Sequence, residues 1–538
     1  MHTDPDLLLA DDRQSAGIDR QTMELLQMAG DTLMELAGNA AADAIAQNLP
    51  EEASVLVLCG KGNNAGDALV VARILADRGS RVAVYPVFGL DDLSDDARGN
   101  LHRLHRVSNA ARHSVVFLQE LVVPDGCDLI VDGIFGTGLH REVAGRAKAA
   151  IEFINTSGLP VCALDVPSGL DAASGQIHGI CVKASQTLQF GLRKLGCYIE
   201  HGPAVAGERS RVPLPFPGSL LQPLQRRLVN HKLNPSAVLA GTLTPSSLRA
   251  PSIRQGLSGV EIPSTRQPRS TTGAAPTLHK YNNGVVHVIG GSRGLTGAPV
   301  YTAKAAWGAG MGAVTLMHPA AWLGVMDTLA PEMVKLPCGT DDAWLSMAHT
   351  EDILEFLRHK PGVMVLGPGM GRNEQSLECV RRVLRDADVP AIVDADALHA
   401  LDLTAAQRIM QHRKAPVIVT PHAGELAAMT GMAVNNDARR LEAATRWAQL
   451  TGCTVLAKGN PCFICPAGGE VLLVTDYDTR GFARAGFGDV LAGHLAAFLN
   501  RTGDATLSCE LALLHGYRKL CRFKESEPLC FPEPSTLV

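Results

Sequence analysis

The stretch Val55-Leu56-Val57-Leu58-Cys59-Gly60-Lys61-Gly62-Asn63-Asn64-Ala65-Gly66-Asp67 decides the fold of the first half of the chain. A short continuous apolar run bounded by turn residues reads as a strand buried on both faces, as in a parallel sheet covered by helices. It leads into glycines and adjacent amides and then a helical pattern at 68–77, so a ligand-type loop sits between strand and crossover. Working outward, apolar strand patterns recur at 81–85, 129–131, 161–164 and 187–190, with helical patterns at 23–47 and 146–155. The alternation predicts a doubly wound α/β domain over residues 1–215.

Residues 216–276 have a different composition, rich in Pro, Ser, Thr, Arg and Gln. Proline removes a backbone donor and biases its predecessor away from helix, so this stretch reads as a linker with at most a short helix around 237–240. Strand patterns resume at 285–289, 313–317, 363–366, 391–393, 417–420 and 454–457, with helical patterns at 300–309, 374–385, 438–450 and 489–499. A second α/β domain is expected over 277–538. Its loop motifs differ from those of the first, which implies two separate sites.

Composition narrows the function. In 538 residues, 46% hydrophobic and 19% charged content is too apolar for a disordered chain. A net charge of -5 and 4% aromatic residues give neither a basic footprint nor a stacking platform for nucleic acid. No run approaches the roughly 18 apolar residues that would span a bilayer. The acidic start, His2-Thr3-Asp4-Pro5-Asp6, is unlike a secretory signal, so a cytoplasmic protein is expected. Thirteen cysteines, an odd number in a large chain, read as reduced thiols. Cys462 and Cys465 form a C-x-x-C without a second pair, which favours strand or turn cysteines over zinc.

Three consecutive strand ends of the first domain carry oxygen-bearing residues in small-residue loops: Asn63-Asn64-Ala65-Gly66-Asp67, Asp132-Gly133-Ile134-Phe135-Gly136-Thr137-Gly138-Leu139, and Asp165-Val166-Pro167-Ser168. Each alone is also readable as a capped turn. Together they suit a ligand and a hard cation better than zinc. LCGKGNNAGD (58–67), VDGIFGTGL (131–139) and LDVPSGLDA (164–172), with Leu33 to Gly38 upstream, resemble the NAD(P)H-hydrate epimerase domain, or YjeF N-terminal domain, over about residues 10–212. The resemblance implies a Rossmann-like sheet. It also implies a substrate site lined by Asn63, Asn64, Ala65, Gly66, Asp67, Gly136, Thr137, Gly138, Leu139, His140, Arg141 and Glu142. Asn64, Asp132 and Ser168 would hold K+. Asp165 would touch the substrate beside the reacting ring as acid/base, its other reading being a cap of the 167–169 turn. Ala65 and Ala68 stand where the family usually has glycine.

The second half carries GGSRGLTGA (290–298), GPGMG (367–371), DADAL (394–398), TPHAGE (420–425), Lys458-Gly459 and AGFGDVLAG (485–493). Glycines before a helix leave bare N–H groups for a phosphate, and an Asp in the first turn can accept a proton from an attacking hydroxyl. With His279-Lys280, these motifs resemble the ribokinase-like ADP-dependent NAD(P)H-hydrate dehydratase over about 279–520. The resemblance implies Asp489 as the catalytic carboxylate, with Gly486 and Gly488 flanking the anion hole. Lys458, Gly459, Asn460, Pro461, Cys462 and Gly488 would contact the adenine nucleotide, and Ala298, Gly371, His422 and Asp489 the hydrate. His422 has an alternative as a loop-fixing donor; Asp394 and Asp396 either order a metal or water network or cap strand ends. Phe487 replaces the family's usual Thr or Ser, Asp478-Thr479-Arg480-Gly481 replaces Gly-Asn-Pro-Gly, and Pro461 removes an N–H.

The expectation is a bifunctional isomerase and lyase acting on hydrated NADH and NADPH, with ADP and Mg2+ in the second site. A homo-oligomer without nucleic-acid or membrane partners is expected. The alternatives are a ribokinase-like small-molecule kinase fused to a binding domain, an epimerase with a decayed dehydratase half, and a non-catalytic binding module.

Overall fold

The strand Ser54–Cys59 is buried along its whole length, and its residues alternate between two helical layers. Val55, Val57 and Cys59 join one apolar cluster, while Leu56 and Leu58 join another on the opposite face. That period of two gives a strand helices on both sides. The computed structural model describes residues 4–108, 115–229, 233, 235–239, 283–469, 472–477, 479–527 and 532–538. The chain forms two units, Met1–Arg226 and Arg227–Val538.

The first unit holds a seven-stranded sheet in the order Val116–Phe117, Arg81–Pro86, Ser54–Cys59, Leu129–Gly133, Val161–Leu164, Gln186–Phe190, Glu208–Val212. Every pairing is parallel. Strand order reverses between Ser54–Cys59 and Leu129–Gly133, so the loops after these two strands open a crevice of the kind where α/β sheets bind ligands. The expected 23–47 helix is two helices, Asp12–Leu26 and Gly30–Ala46. Gln27, at φ 49°, closes the first in the left-handed conformation. The 68–77 pattern begins earlier, at Asn63, so the amide-rich loop is a helix's first turn.

The second unit is built on a ten-stranded sheet. Val334–Cys338, Ala313–Pro319, Val285–Ile289, Val363–Leu366, Ala391–Val393, Val417–Val419 and Thr454–Ala457 are parallel neighbours in that order. Phe463–Cys465 and Leu472–Val474 add antiparallel, and Arg226–Leu228 forms the far edge. The reversal here lies between Val285–Ile289 and Val363–Leu366, placing the Gly290 and Gly367 loops at the crevice.

The expected linker at 216–276 therefore needs correction at its start. Gly218–Leu221 is a helical turn, and Arg226–Leu228 is a strand of the second sheet. Pairing with a distant edge organises a stretch whose local signals are those of coil. A helix does form at Pro235–Leu239, whereas residues 240–282, with His279 and Lys280, lie outside the described residues. No helix among the described residues is long and apolar enough to cross a membrane. The twelve described cysteines are free thiols, and Cys462 and Cys465 flank or end the strand Phe463–Cys465.

One buried ion pair fixes the edge strand. Arg227 donates from Nη1 to Glu510 Oε2 (2.9 Å) and from Nη2 to Oε1 (2.7 Å), and Glu510 lies on the helix Ala505–Ser526. Removing one partner strands a buried charge. Arg227→Leu should lower unfolding free energy by about 3–5 kcal/mol in denaturant titration, and Arg227→Leu/Glu510→Leu should recover most of it. Equal stability of Arg227→Leu and the parent chain would show the pair to be dispensable.

Candidate functional site

The first crevice is assembled from three loop ends. The helix Asn63–Asp77 starts at Gly62 without a side-chain cap, so its first N–H groups face the crevice unmasked by the chain. Asn64 Nδ2 donates to the Phe135 carbonyl (2.9 Å), while its Oδ1 is buried without a partner. Asp132 is fully buried and accepts from Ser168 N (2.8 Å), Ser168 Oγ (2.6 Å) and Ile134 N (3.2 Å). Burial raises its carboxyl to about 6 against those hydrogen bonds. Phe135 N–H in turn donates to Ser168 Oγ (2.8 Å). Asn64 Nδ2 and Ser168 Oγ (3.2 Å) thus both lie against the Phe135 carbonyl, and Ser168 links that point to Asp132.

Asp165 adopts φ 68°, a left-handed conformation that few side chains tolerate. Its Oδ1 accepts from Phe190 N (3.1 Å) and pairs with Lys194 Nζ. Lys194 is 2% exposed against 14% for Asp165, so the lysine is the deeper partner. Its Nζ also donates to the Phe190 carbonyl (2.6 Å). Asp67 and Asp19 complete the cluster. Burial, then the charges of Asp165 and Asp19, push Asp67 well above the usual carboxylate range despite Lys194. Burial likewise lifts Asp19 to about 6, with Lys194 opposing.

The 136–142 loop splits. Gly136 lies against Asn64, where a Cβ would meet the Asn64 Cβ at 3.3 Å. Thr137 is half-buried and Leu139 points into the core, whereas Gly138, His140, Arg141 and Glu142 are exposed. His140 Nε2 stands 3.6 Å from Asp12. Asn63 is exposed, and Ala65 and Gly66 are buried. At the two departures from glycine, Ala65 and Ala68 are fully buried, and the Ala68 methyl occupies the space a Cβ on Gly133 would need.

In the second unit, Gly486 takes φ 95° and opens the helix Phe487–Thr502, again without a side-chain cap. Asp489 in the first turn is pushed up to about 7 by burial, with Asp394 adding, Lys458 opposing and Asp396 adding. Lys458 Nζ reaches Asp394 Oδ1 (2.7 Å) and Glu425 Oε2 (3.9 Å), and the space beside Gly488 opens onto it. Burial works against the lysine's charge, yet Asp394, Glu425 and Asp489 hold its pKa above the ordinary value. Thr420 Oγ1 donates to Asp394 Oδ1 (2.6 Å). Asp396 accepts from Gly371 N (3.0 Å) and Arg372 Nε (2.8 Å). Ala298 sits in the first turn of the helix Gly297–Gly308.

Lys458, Gly459, Asn460, Cys462, Gly488 and His422 border a cavity of about 330 Å3. Thr479 donates to the Gly459 carbonyl (2.8 Å) and to Asn460 Oδ1 (3.0 Å), which stitches the loop from the segment replacing the glycine-rich stretch. Arg440 donates to the carbonyls of Lys458 (2.8 Å) and Pro461 (2.6 Å). Phe487 lines the cavity, with Phe482 and Leu537, and leaves its volume open. Its ring is 4% exposed, sits edge-on to Phe482 at 5.6 Å, and packs with Ala305, Val490 and Leu537. His422 borders the cavity and also fixes its loop, as an acceptor, with Gly424 N and Glu425 N donating to Nδ1 (3.0 and 3.2 Å).

Comparison with known proteins matches each half of the chain to a family. The YjeF-related protein N-terminus family matches residues 30–196, and the NAD(P)H-hydrate dehydratase family matches residues 286–518. The bifunctional NAD(P)H-hydrate repair enzyme Nnr of Salinibacter ruber is 32% identical over 537 residues, 95% of this chain and 90% of its own. The chain belongs to the bifunctional NAD(P)H-hydrate repair enzyme family. The Moorella thermoacetica member is 32% identical over 90% of this chain and 86% of its own. Among solved structures, an ADP/ATP-dependent NAD(P)H-hydrate dehydratase from Bacillus subtilis is similar over 49% of this chain and 90% of its own, at 23% identity and TM-score 0.42.

Within this family member, several site residues escape a reading of motifs. Lys194 belongs to a two-residue strand, Arg193–Lys194, that carries no periodicity, and Asp19 lies on a helix far upstream. Arg440 reaches the second site only through tertiary packing, whereas Glu425 closes the TPHAGE motif at 420–425.

Proposed function

We propose that the chain repairs hydrated nicotinamide dinucleotides in two steps. The first unit epimerises the R and S hydrates of NADH and NADPH; the second dehydrates the S epimer to NAD(P)H at the expense of ADP. The observation that carries this reading is the second crevice, where Asp489 lies at the uncapped start of a helix with Lys458 beside Gly488. A cation, bare N–H groups and a carboxylate raised to about 7 are what phosphoryl transfer to a hydroxyl requires. In this reading Asp489 takes the proton of the hydrate's hydroxyl as the hydroxyl oxygen bonds to the terminal phosphorus of ADP and the bridging P–O bond breaks, releasing AMP. The C–O bond then breaks with phosphate leaving, and the neighbouring ring carbon gives up a proton. Ala298, Gly371 and His422 would position the dinucleotide, and Lys458 to Cys462 with Gly488 the nucleotide. Mg2+ usually binds through one or two carboxylates plus substrate phosphates, which suits Asp394 and Asp396.

In the first unit, Asp165 would exchange the proton that accompanies breaking and remaking of the bond at the hydroxyl-bearing carbon. Lys194 would hold it in place. Asp67, with Asn63, Asn64 and the 136–142 loop, would hold the dinucleotide. The donor set fits potassium: Asn64 Oδ1 is buried without a partner, beside Asp132 and Ser168. A bound K+ would supply positive charge against Asp132 and order the loops that receive substrate.

The test is to feed an equilibrated mixture of hydrate epimers with ADP and follow both by chromatography. Both epimers should disappear as the reduced dinucleotide returns. Without ADP they should only interconvert. Replacing K+ by tetramethylammonium should slow interconversion while leaving dehydration of the S epimer intact. A stable phosphorylated product would instead mark a kinase.

A further inference from the structure

The cavity beside Lys458 and Gly488 is walled by apolar and aromatic side chains, among them Phe482, Leu491 and Leu513. Two of its lining residues carry buried polar atoms without partners. His494 is 1% exposed, and its Nε2 has no hydrogen-bond partner. Tyr477, on the segment facing it, has a buried hydroxyl that is also unpartnered among the described residues. Neither ring is loose. Tyr477 stacks on Tyr517 at 4.1 Å, and His494 meets His515 edge-on at 4.7 Å. Buried polar atoms without partners are rare, because each forfeits its hydrogen bonds to water. A pair of them at one cavity points to something that completes them.

The position of the pair says what that is. His494 is on the same helix as Gly488, six residues on, or about 9 Å along the axis at 1.5 Å per residue. One end of the cavity thus offers a cation and bare N–H groups, and the other a slot between aromatic walls with two hydrogen-bonding groups. We propose that Nε2 of His494 and the hydroxyl of Tyr477 read the base of the nucleotide, binding the amino group and adjacent ring nitrogen of adenine. The assignment rests on the dehydratase reading of the site and adds the residues that set its base preference. Burial, with His515 and Lys519 adding, holds His494 well below the ordinary histidine range, so the imidazole is neutral. A neutral ring nitrogen can accept from an amino group, which an imidazolium cannot.

Calorimetric titration of the full chain with ADP and with purine riboside 5′-diphosphate, which lacks only the 6-amino group, tests this without needing turnover. The parent chain should bind ADP about tenfold more tightly, the worth of one buried hydrogen bond. In His494→Leu that preference should shrink to within about threefold, and Tyr477→Phe should weaken both nucleotides alike, while affinity for inorganic pyrophosphate stays unchanged in each. Equal affinity of the parent chain for the two nucleotides would overturn the proposal, as would a His494→Leu variant that keeps the full preference or a Tyr477→Phe variant that binds both as tightly as the parent. A chain that prefers ADP yet never consumes hydrate would refute the dehydratase reading and leave the base contact standing.

Discussion

Asp489→Asn should lower the rate of ADP-dependent dehydration by about 10²–10⁴-fold, the usual worth of a positioned general base. The substitution keeps the shape of the side chain and removes only its ability to take a proton. Parent-chain kcat/KM should fall about tenfold per pH unit as the pH drops below about 7, because that is where burial has moved the Asp489 carboxyl. Below it, the group is protonated and cannot serve. Stability supplies the control. Folded Asp489 titrates near 7 and its unfolded form near 3.8, so the folded chain binds more protons between those values and loses stability as pH rises across them. At pH 8 the carboxylate is therefore a burden on the fold. Asp489→Asn should raise the melting temperature while silencing the reaction. A variant that is inactive and also less stable would point to misfolding rather than lost chemistry.

Asp165→Asn should leave the R epimer unconverted, again with a loss of about 10²–10⁴-fold, while ADP-dependent removal of the S epimer continues. Asparagine is the informative choice because it tolerates the left-handed backbone that Asp165 adopts, whereas alanine would add strain. The change leaves Lys194 buried beside a neutral partner, so the first unit should also unfold at lower denaturant. Asp165→Asn/Lys194→Met removes both charges and should restore stability without restoring exchange. Recovery of epimer exchange in that double variant would move the proton-transfer role to another group, with Asp67 the nearest alternative.

What the sequence discloses and what it hides follow from range. Strands such as Val363–Leu366 and Val161–Leu164 are legible because a parallel strand covered on both faces is apolar throughout, and the loops after them carry their chemistry in contiguous residues. The start of the helix Asn63–Asp77 is hidden because Gly62 supplies no side-chain cap and Asn and Gly are weak helix formers. The edge strand Arg226–Leu228 is hidden because its order comes from Glu510 and from Leu472–Val474, hundreds of residues away. Lys194 is hidden for the same reason: its partner Asp165 belongs to another strand end. Where the Phe487 ring lies is hidden too, because it packs with Leu537, fifty residues on, as well as with Phe482.

The double grip of Arg440 on the carbonyls of Lys458 and Pro461 has a kinetic and thermodynamic corollary. Because the guanidinium is anchored to Asp437 on its own helix, the loop is moulded in the free chain, ahead of the nucleotide proposed to bind there. Little chain entropy then remains to be surrendered on binding, so tight capture does not demand a large contact area. Gly459 is the keystone: a methyl there would fall on the Arg440 guanidinium and let the loop wander.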